Sequence, residues 1–250
     1  MRTVRLPREK SRTGPLVLVN RQHPLQPGGP VDLTAVDSLH PDILLDRQAA
    51  QLLAACVRKE GGGAEIVPVS GWRSQAEQQR IWDDTLAESG ADFTQKYVAL
   101  PGCSEHQTGL AIDLGKAADE IDFIRPDFPY DGICGAFRRT AAAYGFIERY
   151  QRGKEALTGI APEPWHFRYV GTPHAMLMEA NGLCLEEYGD FLRQGPRTCA
   201  LPGGQRARVF CVPCTGEETE IRLPDSCCQI SGDNAGGFIV TVWEQLPLPG

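Results

Sequence analysis

The stretch from Ser104 to Asp113, SEHQTGLAID, gathers a histidine, a carboxylate, a hydroxyl and a glycine where a strand pattern begins. Leu110, Ile112 and Leu114 fall on one face of that strand and Ala111, Asp113 and Gly115 on the other, so Asp113 points away from the large aliphatic side chains. Gly109 permits a tight turn just before the strand, and His106 can then fold back beside Asp113. A catalytic zinc needs a third protein ligand and an open position for water. The segment Glu163-Pro164-Trp165-His166 offers that ligand and a base. The proline biases Glu163 away from helical geometry, and the residues from Trp165 to Val170 read as a strand with aromatics on one face and His166 on the other. His106, Asp113 and His166 form a two-histidine, one-carboxylate set for one Zn2+. Glu163, three residues before a ligand and not itself a ligand, is placed as general base. H-E-x-x-H does not occur, so this is not the helical zincin arrangement.

The flanking pattern supplies elements to position these side chains. Apolar residues at helical spacing predict a core-facing helix over residues 46–60, stopped by Gly61. Residues 66–70 read as a short strand delivering Gly71-Trp72-Arg73, and Ser74-Gln75-Ala76-Glu77 is a capping box opening a helix to about Ser89. Residues 90–103 carry few periodic signals and read as a loop. Residues 123–129 read as a loop, 133–144 as a helix with Arg138 and Arg139 solvated, and 146–150 as a strand. Thr172 caps a further helix with Pro173 at its first position and His174 in its first turn, a capping or supporting residue rather than a fourth ligand.

S-x-H-x-x-G-x-A-x-D over residues 104–113, followed by E-P-W-H, together with Ser70-Gly71-Trp72-Arg73, Leu157-Thr158-Gly159-Ile160 and Arg168-Tyr169-Val170-Gly171, resembles the zinc D,D-peptidases of the VanX, VanY and VanXY type, nearest the VanY and VanXY branch. The resemblance covers roughly residues 65–188. It implies an α+β zinc peptidase domain, a small antiparallel sheet flanked by helices, that hydrolyses D-Ala-D-Ala ends: the dipeptide, the peptidoglycan pentapeptide precursor, or both. The setting it implies is vancomycin-type glycopeptide resistance or processing of cell-wall precursors. Such an enzyme must recognise a free carboxylate, and a guanidinium grips one bidentately. Arg73 takes that role, with Ser104 beside it and Ser70 and Gln78 as candidates for the pocket wall. Two other readings stay open: an endolysin-like L-alanyl-D-glutamate peptidase and a non-catalytic zinc-binding module.

The 250 residues suit one sizeable domain with an appendage, and 42% apolar with 23% charged residues is ordinary for a globular protein. With 25 basic against 32 acidic residues the formal charge is −7, with no basic block, which argues against nucleic acid and anionic membranes as partners. The apolar run from Leu16 to Val19 is too short for a signal core or a span, and nine cysteines lack framework spacing; both point to the cytoplasm. Residues 1–45, with Pro24, Pro27, Gly28, Gly29 and Pro30 and one strand-like run at 16–20, read as an arm packed on the main domain at 46–194. Residues 195–250 read as a small β appendage with strands at 206–212, 220–223 and 238–243. Its Cys211, Cys214, Cys227 and Cys228 invite a zinc reading, but an adjacent pair does not easily reach tetrahedral geometry, and free thiols are preferred.

Overall fold

In the computed structural model, which describes residues 1–26 and 31–244, the chain opens with a strand, β1 (Arg2–Pro7), where only an arm is expected. Residues 27–30 of the proline- and glycine-rich stretch and residues 245–250 of the appendage lie outside the described residues. β2 (Leu33–Ala35) and β3 (Leu44–Asp46) make an antiparallel ribbon that ends on Asp46. Its carboxylate accepts the backbone N–H groups of Gln48 and Ala49 and so caps α1 (Arg47–Lys59), which buries Ala49, Ala50, Leu53 and Cys56 along one stripe. β4 (Ile66–Ser70) leads to Ser74, whose hydroxyl accepts from the N–H of Glu77 and caps α2 (Gln75–Ser89).

Residues 90–103 hold a helix, α3 (Ala91–Tyr97), rather than loop alone. Seven residues are too few to display a helical period, and contacts within the turn hold it: the rings of Phe93 and Tyr97 lie 4.8 Å apart, and the buried Thr94 hydroxyl donates to Gly90 O at 2.9 Å. β5 (Ala111–Lys116), α4 (Gly132–Ala141), β6 (Phe146–Tyr150), α5 (Glu155–Thr158), β7 (Glu163–Tyr169) and α6 (Thr172–Asn181) follow.

The four strands form an antiparallel sheet in the order β4-β5-β7-β6. Leu53, Cys56 and Phe137 from α1 and α4 join Ile112, Leu114 and Phe167 from the sheet in one core, in which Phe128, Phe137 and Phe167 meet edge to face at 5.0–5.8 Å. Burying each ring stabilises by about 1.5–3 kcal/mol, and each ring pair adds about 0.5–1.5 kcal/mol. The result is the small antiparallel sheet with flanking helices that defines the expected α+β class.

The described residues divide into two compact units: residues 19–25 with 31–175, and residues 1–18 with 26 and 176–244. These limits differ from boundaries at 45 and 195. In the second unit β1 pairs antiparallel with β10 (Glu218–Leu223), from Arg2 opposite Leu223 to Pro7 opposite Glu218, so the start of the arm is a strand of the appendage. α7 (Leu185–Arg193) precedes a second sheet in the order β11-β12-β9-β8, formed by β8 (Arg197–Ala200), β9 (Arg206–Pro213), β11 (Cys228–Gly232) and β12 (Gly237–Glu244). Ile221, Phe238 and Val240 pack there with Val4, Leu6 and Phe210.

The run at 16–20 is buried but forms no strand: Leu16 N–H donates to Ser231 Oγ and Leu18 N–H to Asp233 O, individual contacts in place of a ladder. All nine cysteines are free. Cys214 and Cys228 donate to the carbonyls of Gly216 and Ser226. No helix among the described residues is long and apolar enough to cross a membrane.

Candidate metal centre and active-site cleft

Strand register builds the site. Asp113 on β5 lies directly opposite Ser70 on β4 and His166 on β7, which puts all three on one face of the sheet. His106 arrives from a 3₁₀ turn, Glu105–Thr108, ended by Gly109 at φ 72°; a Cβ there would come within 2.9 Å of the Val31 and Leu33 side chains. The ring of His106 is fixed from behind by a hydrogen bond of 2.7 Å from Nδ1 to Gly71 O. A carbonyl only accepts, so Nδ1 carries the proton and Nε2 presents its lone pair, 3.2 Å from Asp113 Oδ2. That hydrogen bond requires Gly71 itself, because a Cβ would lie 2.2 Å from Leu44 O. His166 Nδ1 lies 2.9 Å from Asp113 Oδ1. One ligand atom from each of His106, Asp113 and His166 falls within 4.8 Å of the others, and all three residues are buried. Two imidazoles and a carboxylate at this separation fit a divalent ion with an open position.

Glu163 would share a face with Trp165 and Phe167 if alternation held. The β6–β7 register shifts between Glu148 and Tyr150, however, and its carboxylate lies 3.8 Å from His166 Nδ1. Burial pushes the Glu163 carboxyl up to about 8, opposed by His166. Burial, then the Arg73 charge, pushes His106 down to about 4. Burial alone would lower His166, but its hydrogen bond to Asp113 and the nearby Glu105 carboxylate outweigh it and raise it to about 9. Burial likewise opposes ionisation of Asp113, yet His106 and His166 hold its carboxyl well below the usual carboxylate range.

Arg73 is buried at the back of the cleft. Its Nε donates to Ser70 Oγ at 2.8 Å, Nη2 to Asp113 Oδ2 at 2.9 Å and Nη1 to Gln78 Oε1 at 3.4 Å, with the Phe123 ring 5.5 Å away. Arg73, Gln78, Ser104 and Glu163 line the cleft with the histidines and Asp113. Ser70 is not on that wall. It stands behind Arg73, where its hydroxyl fixes the guanidinium.

The family model for VanY, D-alanyl-D-alanine carboxypeptidase, matches residues 39–172, the segment that carries every one of these side chains. The chain belongs to the VanY family. Its similarity extends beyond that segment: it is 42% identical over 187 residues to the bifunctional D-Ala-D-Ala dipeptidase and D-Ala-D-Ala carboxypeptidase VanXYC of Enterococcus gallinarum, covering 74% of this chain and 98% of that protein. The crystal structure of the vancomycin resistance D,D-dipeptidase VanXYg, in complex with a D-Ala-D-Ala phosphinate analog, matches 97% of this chain and 99% of that one at 48% identity, TM-score 0.95. A mutant of the vancomycin resistance D,D-pentapeptidase VanY from the VanB-type cassette, in complex with Zn(II), matches 70% and 98% at 30% identity, TM-score 0.59.

This VanY-family site contains charges that the sequence analysis did not single out. Glu105, Arg149 and Arg168 are fully buried, with Glu105 Oε1 accepting from Arg149 Nε at 2.7 Å and forming an ion pair with Arg168 Nη1 at 2.9 Å. The other Glu105 oxygen faces His166 Nε2 at 3.7 Å, the nitrogen turned away from Asp113. Strand parity carried the available signal, since Arg168 shares the His166 face of β7. Arg138, expected in solvent, is instead nearly enclosed: its guanidinium pairs with Glu148 and stacks on three aromatic rings, because α4 turns that side onto the sheet.

Proposed function

We propose that this chain is a zinc-dependent D,D-carboxypeptidase and D,D-dipeptidase acting on D-Ala-D-Ala ends of peptidoglycan precursors, in vancomycin-type resistance. The observation that carries the reading is the meeting, in one cleft, of the His106, Asp113 and His166 ligand atoms with the Glu163 carboxyl and the Arg73 guanidinium. Zinc held by those three side chains would polarise the scissile carbonyl and acidify water. Glu163 accepts a proton from the attacking water and returns it to the departing D-alanine nitrogen; a carboxyl lifted by burial to about 8 is suited to both transfers near neutral pH. Arg73, held by Ser70 and Gln78, grips the terminal carboxylate, and the Ser104 hydroxyl donates to it. This fixes which peptide bond faces the ligands. The family match and the near-complete likeness to a D,D-dipeptidase favour this over L-alanyl-D-glutamate cleavage. Free cysteines throughout suit a reducing compartment, and we place the activity in the cytoplasm.

The test is D-alanine release from D-Ala-D-Ala and from the pentapeptide precursor, side by side, for the parent chain, Glu163→Gln and His166→Ala. Glu163→Gln should lose about 10²–10⁴-fold in turnover with zinc content unchanged, and His166→Ala should lose the zinc. A fully active Glu163→Gln protein, or tight stoichiometric zinc in His166→Ala, would overturn the assignments. A zinc-loaded parent that releases no D-alanine would overturn the function.

A further inference from the structure

We propose that Arg138 is a positioning residue for the peptidase reaction, clamping the Glu163-Pro164 backbone across the break in the β6–β7 ladder. The proposal rests on the reading of Glu163 as the base. Glu148 is the last residue of β6 in register with β7 before the shift, and Glu163 is next paired, with Tyr150, beyond it. The guanidinium of Arg138 spans that gap. Nη1 forms an ion pair with the Glu148 carboxylate, while Nη2 donates to Pro164 O at 2.5 Å and to Phe128 O at 2.6 Å. Pro164 has no N–H to offer a neighbouring strand, so the anchoring of its peptide falls to its carbonyl.

The donor is itself fixed. Phe128, Tyr130 and Phe167 place their rings 5.0, 4.0 and 5.4 Å from its guanidinium carbon, and Tyr130 donates its hydroxyl to Glu148 Oε1 at 2.7 Å. The neighbouring Phe137 is fully buried in the core, which seats the helix that carries Arg138. An exposed ion pair contributes little, but here the side chains of Arg138 and Glu148 are only 11% and 17% exposed. A planar fork with two separated Nη groups reaches a carboxylate from one nitrogen and two carbonyls from the other, a span that the single nitrogen of an ammonium does not cover. Arg138 thus ties the peptide next to Glu163 to a helix rooted in the core, and the position of the Glu163 carboxyl depends on it.

Arg138→Lys keeps the charge and the stem but removes the fork. Measured on the full, zinc-loaded chain with D-Ala-D-Ala and normalised to folded protein, kcat should fall about 10–100-fold, the scale of a small misplacement of a reacting group. KM should stay within roughly twofold and zinc content should be unchanged. A purely structural role would lower Tm and leave kcat per folded enzyme at the parent value, and that result overturns the proposal. So does a raised KM with unchanged kcat, which would make Arg138 a determinant of pocket shape. Should Arg138→Lys not fold, Tyr130→Phe decides: about a threefold fall in kcat at constant KM supports the proposal, being the loss of one supporting hydrogen bond, and parental kcat overturns it. An inactive parent chain would count against the proposed function; an active parent with an unaffected variant counts against the Arg138 role alone.

Discussion

Removing the charge of Glu105 tests how the site is supported. Its carboxylate and the guanidinium groups of Arg149 and Arg168 have no solvent exposure, and a single oxygen, Oε1, lies 2.7 Å from Arg149 Nε and 2.9 Å from Arg168 Nη1. Burial opposes ionisation of Glu105, but the two guanidinium charges and His166 outweigh it and hold the carboxyl far below the usual carboxylate range. Glu105→Gln keeps the shape and an accepting oxygen but removes the carboxylate charge that two buried guanidinium groups face. Breaking a buried pair in this way costs about 3–5 kcal/mol, a large part of a typical 5–15 kcal/mol of total stability. Arg149→Met leaves the Glu105–Arg168 pair intact and should cost less, about 1–3 kcal/mol. Replacing all three, as Glu105→Leu, Arg149→Met and Arg168→Met, should recover much of the loss, because no charge then remains to be desolvated. Urea unfolding in the presence of a chelator, followed by circular dichroism, reads these differences without a contribution from metal binding. A Glu105→Gln protein within about 1 kcal/mol of the parent, or a triple variant no better than the single one, would refute the reasoning. Glu105 also faces His166 Nε2 at 3.7 Å, on the side turned away from Asp113, and where Glu105→Gln folds, its zinc affinity should be lower by about 10–100-fold.

Arg73→Ala should lose about 2–5 kcal/mol of productive interaction with a free-acid substrate, and amidation of the substrate's terminal carboxylate should cost the parent a comparable amount; equal rates on acid and amide ends would remove the carboxylate role. His174 is buried, which pushes its imidazole down to about 3. With its unfolded value near 6.5, the unfolded chain binds the extra proton first, so this group's contribution is complete above about pH 6.5 and declines as pH falls toward 3. The parent should therefore lose about 2 kcal/mol more than His174→Gln between pH 6.5 and 5; parallel pH dependences would show that burial does not govern this histidine.

The sequence by itself determined the elements whose causes are local. Asp46 and Ser74 cap helices by bonding N–H groups two or three residues ahead, and β5 declares its faces by alternation, so the helices over 47–59 and 75–89 and the orientation of Asp113 can be read from neighbouring residues. The residues gathered in the cleft were legible for the same reason: His106, Asp113, Glu163 and His166 sit in two short segments, each with its own turn or strand pattern.

Tertiary structure decided what depends on partners distant in sequence. The register of three strands put Ser70, Asp113 and His166 side by side, and a one-residue slip would have turned Asp113 to the opposite face. Alternation alone would put Glu163 with the core aromatics; with the break opposite Glu148 and Tyr150 its carboxylate lies 3.8 Å from His166 Nδ1. The apolar run at 16–19 reads as strand-like but secures only burial, because a strand also needs a partner edge; β1 found one in β10, more than two hundred residues along the chain. An arginine outside a recognised motif reads as a surface residue, and only the assembled fold supplied the carboxylates, carbonyls and aromatic faces that enclose Arg138, Arg149 and Arg168.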